Sequence, residues 1–295
     1  MAFATPPPPR PDRLAAPVPA LRTRSGSLSF DRVVLVGVLN ATPDSFSDGG
    51  LHLDPVRAAT TAAAMVEAGA GMLDLGAEST RPGAAPVPAE EELRRLLPVL
   101  RAVRAAVRVP LSIDTRKAVV ATAALDAGAD VVNDVSAGRD DPAMLSLCAR
   151  TGVPIVLMHM RGTPATMQDA PAYADVVGEV RDFLATRATV ALAAGVAADA
   201  IVIDPGIGFG KTCAHNVALL RGLDLVAGLG YPVLVGVSRK GFVGELLGGV
   251  APTRRGFGTA AAVALAVAHG ARLVRVHDVR AMRDVVTVAE AIARA

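Results

Sequence analysis

A short motif recurs along the chain: a small residue, a glycine, a short spacer, an apolar run and a polar stop. The five copies are AGAGMLDLG (68–76), AGADVVND (127–134), TGVPIVLMH (151–159), AGVAADAIVIDPG (194–206) and HGARLVRVHD (269–278). The glycine suits the position after a helix, where a positive φ is favoured. The apolar run suits a strand that is covered on both faces. The motif therefore predicts helices that alternate with parallel strands.

Eight such helix and strand units can be placed. The predicted strands are 33–39, 72–75, 109–113, 131–133, 153–158, 200–203, 233–237 and 272–276. The predicted helices are 54–68, 89–106, 116–127, 140–150, 172–194, 213–228, 253–269 and 279–293. Asp54 and Pro55 suit the N-cap and the first position of the first helix. Eight units favour an α/β fold that closes into a single (β/α)₈ TIM barrel.

The N-terminal residues differ in composition from the rest. Residues 1–20 are rich in proline and have no apolar signal core, which predicts a disordered tail. Residues 21–32 contain a Ser25-Gly26 turn signal, which predicts a short hairpin under the barrel floor. The barrel domain is therefore expected to span residues 21–295.

Composition excludes several classes of function. The net charge is +2 and tryptophan is absent, so no nucleic-acid surface is expected. No apolar run reaches the roughly 18 residues of a membrane helix, and we expect a cytoplasmic protein. Cys148 and Cys213 fit no metal-binding spacing, which predicts free thiols.

Lysine is rare in this chain. Lys117, Lys211 and Lys240 are the only lysines among the 30 lysine and arginine residues. A lysine that persists in an arginine-rich chain can mark a site that needs a compact point charge rather than a planar fork. Chance survival of any one lysine is the alternative.

Polar residues stand where the predicted strands end. They are Asn40, Asp74, Asp114, Asn133, Met158 with His159, Asp204, Ser238 with Lys240, and Arg275 with His277. In a barrel these ends meet at one mouth. The carboxylates and the amide suit a flat heterocycle that is rich in donors. The cations, with Arg81, suit an anion, and Asn40 suits Mg²⁺ beside phosphate oxygens and water.

Structural alternatives exist for single residues of this set. Asp114 could be a helix N-cap, and His159 could be a hydrogen-bonded core histidine. The loop DPGIGFGKT (204–212) is not a P-loop, because position 205 is proline, and it lacks the GxGxxG spacing of dinucleotide sites. We expect this loop to bring its backbone and Phe209 close to a flat ligand, with Lys211 facing a ring or an anion.

Nine segments then show a resemblance to a known family. They are LNATPDSFSDGG (39–50), DLGAESTRPG (74–83), SIDT (112–115), VNDVS (132–136), LMHMRGTP (157–164), DPGIGFGK (204–211), SRKGFVGELLG (238–248), FGTAAAVALA (257–266) and RVHDV (275–279). Through these segments, the chain resembles the dihydropteroate synthase family over about residues 21–293. The resemblance implies condensation of 6-hydroxymethyl-7,8-dihydropterin pyrophosphate with p-aminobenzoate, by a homodimer that uses Mg²⁺.

The resemblance also implies roles for residues of this chain. Asp114, Asn133, Asp204 and Lys240 would hold the pterin, with Met158 on its face. Asn40 would bind Mg²⁺, while Arg81, Arg275 and His277 would hold the pyrophosphate. Thr80, Pro82, Phe209 and Ser238 would line the p-aminobenzoate pocket. The expected catalytic set is Asn40, Arg81, Asp114, Lys240, Arg275 and His277.

The expected chemistry is a dissociative, SN1-like step that needs no nucleophilic side chain. Loops 40–50, which carries Phe46, and 79–88 would close over the substrates and exclude water. A non-catalytic pterin-binding paralogue is one alternative, and a methyltransferase that moves a methyl group from a folate to a corrinoid is another. Both alternatives predict loss of the anion-binding residues, which are all present in this chain.

Overall fold

Eight parallel strands form the centre of the molecule. The computed structural model describes Leu14 and residues 18–24, 26–41, 54–81 and 83–295. The strands are β3 (Val34–Asn40), β4 (Met72–Gly76), β5 (Leu111–Asp114), β6 (Val131–Asp134), β7 (Ile155–Met158), β8 (Ile201–Asp204), β9 (Leu234–Val235) and β10 (Leu273–Val276). Their order is β8-β7-β6-β5-β4-β3-β10-β9, and a parallel bridge between Ile203 and Val233 joins the two edges. The predicted (β/α)₈ barrel is confirmed.

Helices surround the strands. They are α1 (Pro55–Glu67), α2 (Ala89–Ala106), α3 (Ala118–Asp126), α4 (Ala143–Thr151), α5 (Val176–Ala193), α6 (Cys213–Arg221), α7 (Leu223–Ala227), α8 (Gly241–Leu246), α9 (Gly256–Ala268) and α10 (Val279–Arg294). The helix predicted over 213–228 is wrong, because it breaks at Gly222 into α6 and α7. The short helix α8 was not predicted, since its six residues are too few to show a helical period.

The turns of the repeated motif form as expected. Its glycines Gly69, Gly128, Gly152, Gly195 and Gly270 all have positive φ angles. The Asp54 side chain accepts a hydrogen bond from the Val56 backbone N–H at 2.9 Å and caps α1, with Pro55 at its first position. Local sequence therefore sets where the elements of the barrel begin and end.

The lower half of the barrel is filled with apolar side chains. Buried residues such as Val36, Met72 and Val202 form an interior cluster with Leu21 and Phe30 from the N-terminal segment. Strands β1 (Leu21–Thr23) and β2 (Gly26–Leu28) pair as the predicted antiparallel hairpin and close the barrel floor. This packing leaves the carboxyl ends of the strands as the open end of the barrel.

The predictions for the N-terminal tail and for the loop that carries Phe46 concern residues that are mostly not described. Most of residues 1–20 and the loop that carries Phe46 lie outside them, so the tail and that loop stay predictions. Among the helices that the structure describes, none combines the length and the apolar character needed to cross a membrane.

Candidate active site

A cavity of about 720 Å³ opens at the carboxyl ends of the strands. It is lined by every described residue of the predicted site: Asn40, Thr80, Arg81, Asp114, Asn133, Met158, Asp204, Phe209, Ser238, Lys240, Arg275 and His277. Pro82 lies outside the described residues. Segments far apart in the chain therefore converge on one site, as the strand ends predicted.

Arg275 lies between two carboxylates inside the barrel. Its Nε donates to Asp74 Oδ2 at 2.6 Å, and its Nη2 donates to Asp114 Oδ2 at 3.3 Å. Asn133 Nδ2 donates to both oxygens of Asp74 at 3.3 Å. Asp74 is thus occupied by protein donors and its exposed fraction is 1%, so its interpretation as an acceptor for a ligand is wrong. It holds Arg275 and Asn133 in place instead.

The other two carboxylates face the cavity from buried positions. Burial and the charge of Asp74 raise the pKa of Asp114 to about 7, and burial raises the pKa of Asp204 to about 6. Asp114 Oδ1 has no hydrogen-bond partner among the described residues. A buried acceptor without a donor costs about 1–3 kcal/mol, which a ligand donor would recover. Asp114 is not a helix cap, since α3 begins four residues later.

Basic groups line the cavity together with the carboxylates. Lys240 Nζ lies 4.1 Å from the centre of the Phe209 ring, and burial lowers the Lys240 pKa to about 8. His277 Nδ1 is 2.9 Å from Ser238 Oγ, which also accepts the His277 backbone N–H at 3.3 Å. Burial and the charge of Arg275 lower the His277 pKa to about 4, so the ring is neutral at neutral pH. Because Ser238 can donate its hydroxyl hydrogen to Nδ1, the Nε2–H remains for an anion.

The loop that carries Thr80 and Arg81 is anchored by a buried ion-pair network that no sequence pattern predicts. Glu78 accepts hydrogen bonds from Lys117 Nζ at 2.7 Å, Arg116 Nη2 at 3.1 Å and the Val87 backbone N–H at 3.0 Å. Lys117 Nζ also donates to Glu92 Oε2 at 2.6 Å. The rarity of lysine singles out Lys117 in the sequence, but no local pattern indicates its partners Glu78 and Glu92.

Replacing Lys117 with methionine is expected to lower the free energy of unfolding by about 3 kcal/mol, because Glu78 and Glu92 would keep buried charges without this cation. Urea denaturation at neutral pH measures the change. Arg108, which is exposed on the segment after α2, provides the control substitution Arg108→Met. Adding Glu92→Gln to Lys117→Met should recover part of the loss, and no recovery would contradict the pairing.

Behind the cavity, His159 is a buried core histidine, which confirms the structural alternative. Its Nδ1 lies 2.9 Å from Lys211 Nζ, and burial lowers the His159 pKa to about 2. Lys211 also donates to the backbone oxygens of Gly206 and Phe209. The expectation that Lys211 faces a ring or an anion is therefore wrong.

The raised pKa of Asp204 makes the stability of the fold depend on pH. Its folded-state pKa is raised from 3.8 to about 6, so the folded chain binds more protons than the unfolded chain between those values, and stability falls as pH rises through that window. In Asp204→Asn the amide oxygen can still accept the Gly206 N–H, which lies 2.6 Å from Oδ1. We expect this variant to exceed the wild type in free energy of unfolding by about 1–3 kcal/mol near pH 8, with no gain near pH 4. Equal differences at both pH values in urea titrations would contradict this.

A magnesium site is compatible with these residues. No group of three or more His, Cys, Asp or Glu side chains suited to a metal occurs in the described part of the chain. Asn40 brings one neutral oxygen to the cavity from the end of β3. Mg²⁺ commonly takes one or two protein oxygens together with phosphate oxygens and water. The donor set therefore fits an ion that arrives with a phosphate ligand.

Comparison with known proteins agrees with this site. Residues 36–277 match the sequence model of the pterin binding enzyme family. The dihydropteroate synthase of Mycobacterium leprae is 50% identical over 267 residues, which are 88% of this chain and 94% of that protein. The structure of Xanthomonas albilineans dihydropteroate synthase with 4-aminobenzoic acid is 47% identical, covers 95% of this chain and 100% of that chain, and superposes with a TM-score of 0.88. The structure of the Yersinia pestis dihydropteroate synthase in a sulfonamide drug complex is 42% identical. It covers 94% of this chain and 100% of that chain, with a TM-score of 0.89. The chain therefore belongs to the pterin-binding enzymes, in the dihydropteroate synthase family of folate biosynthesis.

Proposed function

We propose that the chain condenses 6-hydroxymethyl-7,8-dihydropterin pyrophosphate with p-aminobenzoate to give 7,8-dihydropteroate and pyrophosphate. One observation carries the proposal: one cavity is lined both by buried carboxylates and by partly exposed basic groups. A pterin ring carries a donor-rich edge, which matches the carboxylates. Its diphosphate carries the negative charge, which matches the basic groups.

The part of the cavity that is lined by carboxylates would hold the pterin. Asp114, Asn133 and Asp204 would bind the polar edge of the ring, and Met158, which is buried at the end of β7, would pack on its face. Each hydrogen bond to a carboxylate contributes about 1.5–3 kcal/mol. Lys240, which also lines the cavity, would contact the ring as well.

The basic groups of the cavity would hold the diphosphate. Two of the five N–H donors of Arg275 bind Asp74 and Asp114, and the others remain for an anion, together with His277 Nε2–H and Arg81. Asn40 would hold Mg²⁺, which when bound neutralises charge on a leaving phosphate group. These groups would stabilise the charge that grows on the leaving oxygen in the transition state.

The bond between carbon and the leaving oxygen would break first, in a dissociative step. The neutral amine of p-aminobenzoate would then form the new C–N bond and release its proton. Thr80, Pro82, Phe209 and Ser238 would line the pocket for this second substrate. No nucleophilic side chain is needed, and the role of the site is to position the reactants and exclude water.

A turnover assay tests the proposed function. Both substrates are supplied with and without Mg²⁺, and 7,8-dihydropteroate and pyrophosphate are measured separately. We expect equal amounts of the two products with Mg²⁺ and a large loss in Asn40→Ala. A non-catalytic paralogue would bind the pterin without releasing pyrophosphate, and that result would overturn the proposal.

We also propose that the protein is a homodimer through an apolar surface on α8 and α9. Phe257 is 95% exposed, and Leu265 lies two turns further along α9 with 55% exposed. Leu246 and Leu247 extend the surface. A second copy of the chain would remove this apolar area from water.

Sedimentation equilibrium tests the homodimer. Phe257→Glu is expected to convert the dimer to a monomer, because a charge in place of the most exposed apolar side chain of the surface would have to be buried without a partner. Val56→Glu changes an exposed valine on α1, away from α8 and α9, and should leave the dimer intact. A monomeric wild type, or a dimer that survives Phe257→Glu, would contradict the proposed interface.

A further inference from the structure

From the loop between β8 and α6 we infer that Lys211 is a positioning residue, whose ammonium holds the segment 205–210 in the conformation that presents Phe209 to the cavity. The inference concerns binding of p-aminobenzoate and in that respect rests on the proposed function. Its geometric part, the fixed loop, can be tested without turnover.

The surroundings of Lys211 match a group with three N–H donors; burial lowers the Lys211 pKa to about 7, so the ammonium form holds the loop below that pH. The exposed fraction of Lys211 is 3%. Nζ lies 2.9 Å from each of three acceptors: His159 Nδ1, the Gly206 carbonyl oxygen and the Phe209 carbonyl oxygen. An ammonium has three N–H donors, so each donor has one acceptor. His159 is neutral, because burial lowers its pKa to about 2, and its Nδ1 is free to accept.

Three glycines make this loop costly to order, so its hydrogen bonds matter to its shape. Gly206, Gly208 and Gly210 all have positive φ angles, of 65°, 84° and 63°. A Cβ added at Gly206 would lie 1.9 Å from the His159 carbonyl oxygen, so the backbone needs glycine there. Glycine costs conformational entropy when it is ordered. The bonds from Lys211 to Gly206 and Phe209 offset this cost by joining two points of the loop.

The position of Phe209 depends on this loop. The Phe209 ring lies 4.1 Å from Lys240 Nζ, and a Cβ at Gly208 would be 3.1 Å from Lys240 Cδ. A shift of the loop would therefore change the distance between Phe209 and Lys240. Because a guanidinium is planar, it cannot direct its donors to three acceptors placed around one nitrogen. This geometry explains a lysine at position 211 in a chain that otherwise uses arginine.

The first test compares Lys211→Met and Lys211→Arg with the wild type. We expect KM for p-aminobenzoate to rise about tenfold in both variants, while the Kd of 6-hydroxymethylpterin changes by less than about twofold. Arg221→Met, at the exposed end of α6, is the matched control. A wild-type KM in Lys211→Arg, or equal losses for both ligands, would overturn the inference.

A second pair of variants tests whether His159 Nδ1 accepts a hydrogen bond from Lys211. In His159→Asn the amide oxygen can replace Nδ1, whereas His159→Leu leaves one N–H of Lys211 without a partner. We expect the leucine variant to raise KM for p-aminobenzoate and the asparagine variant to remain close to the wild type. Equal effects of the two substitutions would show that the ring serves packing alone and would overturn its part in the inference.

Amide hydrogen exchange provides a readout that is independent of turnover. The Gly206 N–H is bonded to Asp204 Oδ1 at 2.6 Å and the Gly208 N–H to Asn216 Oδ1 at 2.7 Å. Both amides should exchange at least about tenfold faster in Lys211→Met if the loop loosens. Unchanged exchange would overturn the inference even if the wild type is active. An inactive wild type with faster exchange in the variant would overturn the proposed function but not the loop anchor.

Discussion

Replacement of Arg275 by methionine is expected to remove turnover and to destabilise the fold. The guanidinium bonds Asp74 at 2.6 Å and Asp114 at 3.3 Å, so its loss leaves two neighbouring carboxylates inside the barrel without their cation. Breaking a buried ion pair in this way costs about 3–5 kcal/mol of folding free energy. The same change removes a donor for the diphosphate, and we expect kcat/KM to fall by about 10³. Urea denaturation and steady-state kinetics measure the two effects separately.

A second substitution separates the structural role of Arg275 from its role in the reaction. Adding Asp74→Asn removes the charge that Arg275 neutralises most directly, so the double variant should regain part of the lost stability. Turnover should stay absent, because the diphosphate still lacks its donor. Arg280→Met on the exposed face of α10 is the control and should change neither quantity by more than about 0.5 kcal/mol. Full recovery of turnover in the double variant would contradict the catalytic role.

The parts of the fold that could be predicted from sequence have local causes. A glycine after a helix and an apolar run after it are adjacent in the chain, so the strands β4, β6, β7, β8 and β10 were placed correctly. The break of the predicted helix at Gly222 was not, because an isolated glycine inside a helical pattern is only a weak local signal; here it adopts φ −100° and ψ 18° and ends α6. A Cβ at Gly222 would also meet Val177 Cγ1 of α5 at 3.0 Å, and this proximity of two separate helices does not show in the local pattern.

The candidate site shows the same difference between features with local causes and features with long-range causes. The strand ends identified which polar residues converge, but not which of them bind each other. Asp74 and Asp114 looked alike as carboxylates at strand ends, yet Asp74 is used by Arg275, which lies 201 positions further along the chain. Glu78 and Lys117 are 39 positions apart, and neither belongs to a pattern that reveals their pairing. Long-range pairing of charges therefore decides which carboxylates remain for a ligand.

Binding of 6-hydroxymethylpterin is expected to tighten as the pH rises and to release protons. Burial and the charge of Asp74 raise the pKa of Asp114 to about 7, and burial raises that of Asp204 to about 6, so each is partly protonated in the free protein at mildly acid pH. The donor-rich edge of a pterin prefers the ionised carboxylates, so binding shifts these groups toward the charged form. Below each pKa the affinity should fall by up to about tenfold per pH unit for that carboxylate. This pterin lacks the diphosphate, whose own titration would obscure the effect.

Calorimetry in buffers of different ionisation enthalpy measures the proton release directly. In Asp114→Asn we expect weaker binding near pH 8 and a remaining pH dependence centred on the pKa of Asp204, near pH 6. In Asp204→Asn the dependence that remains should centre near pH 7, the value of Asp114. The two variants thus assign each half of the pH profile to one carboxylate. A wild-type affinity that does not change with pH, or identical profiles for the two variants, would show that these carboxylates do not bind the ring.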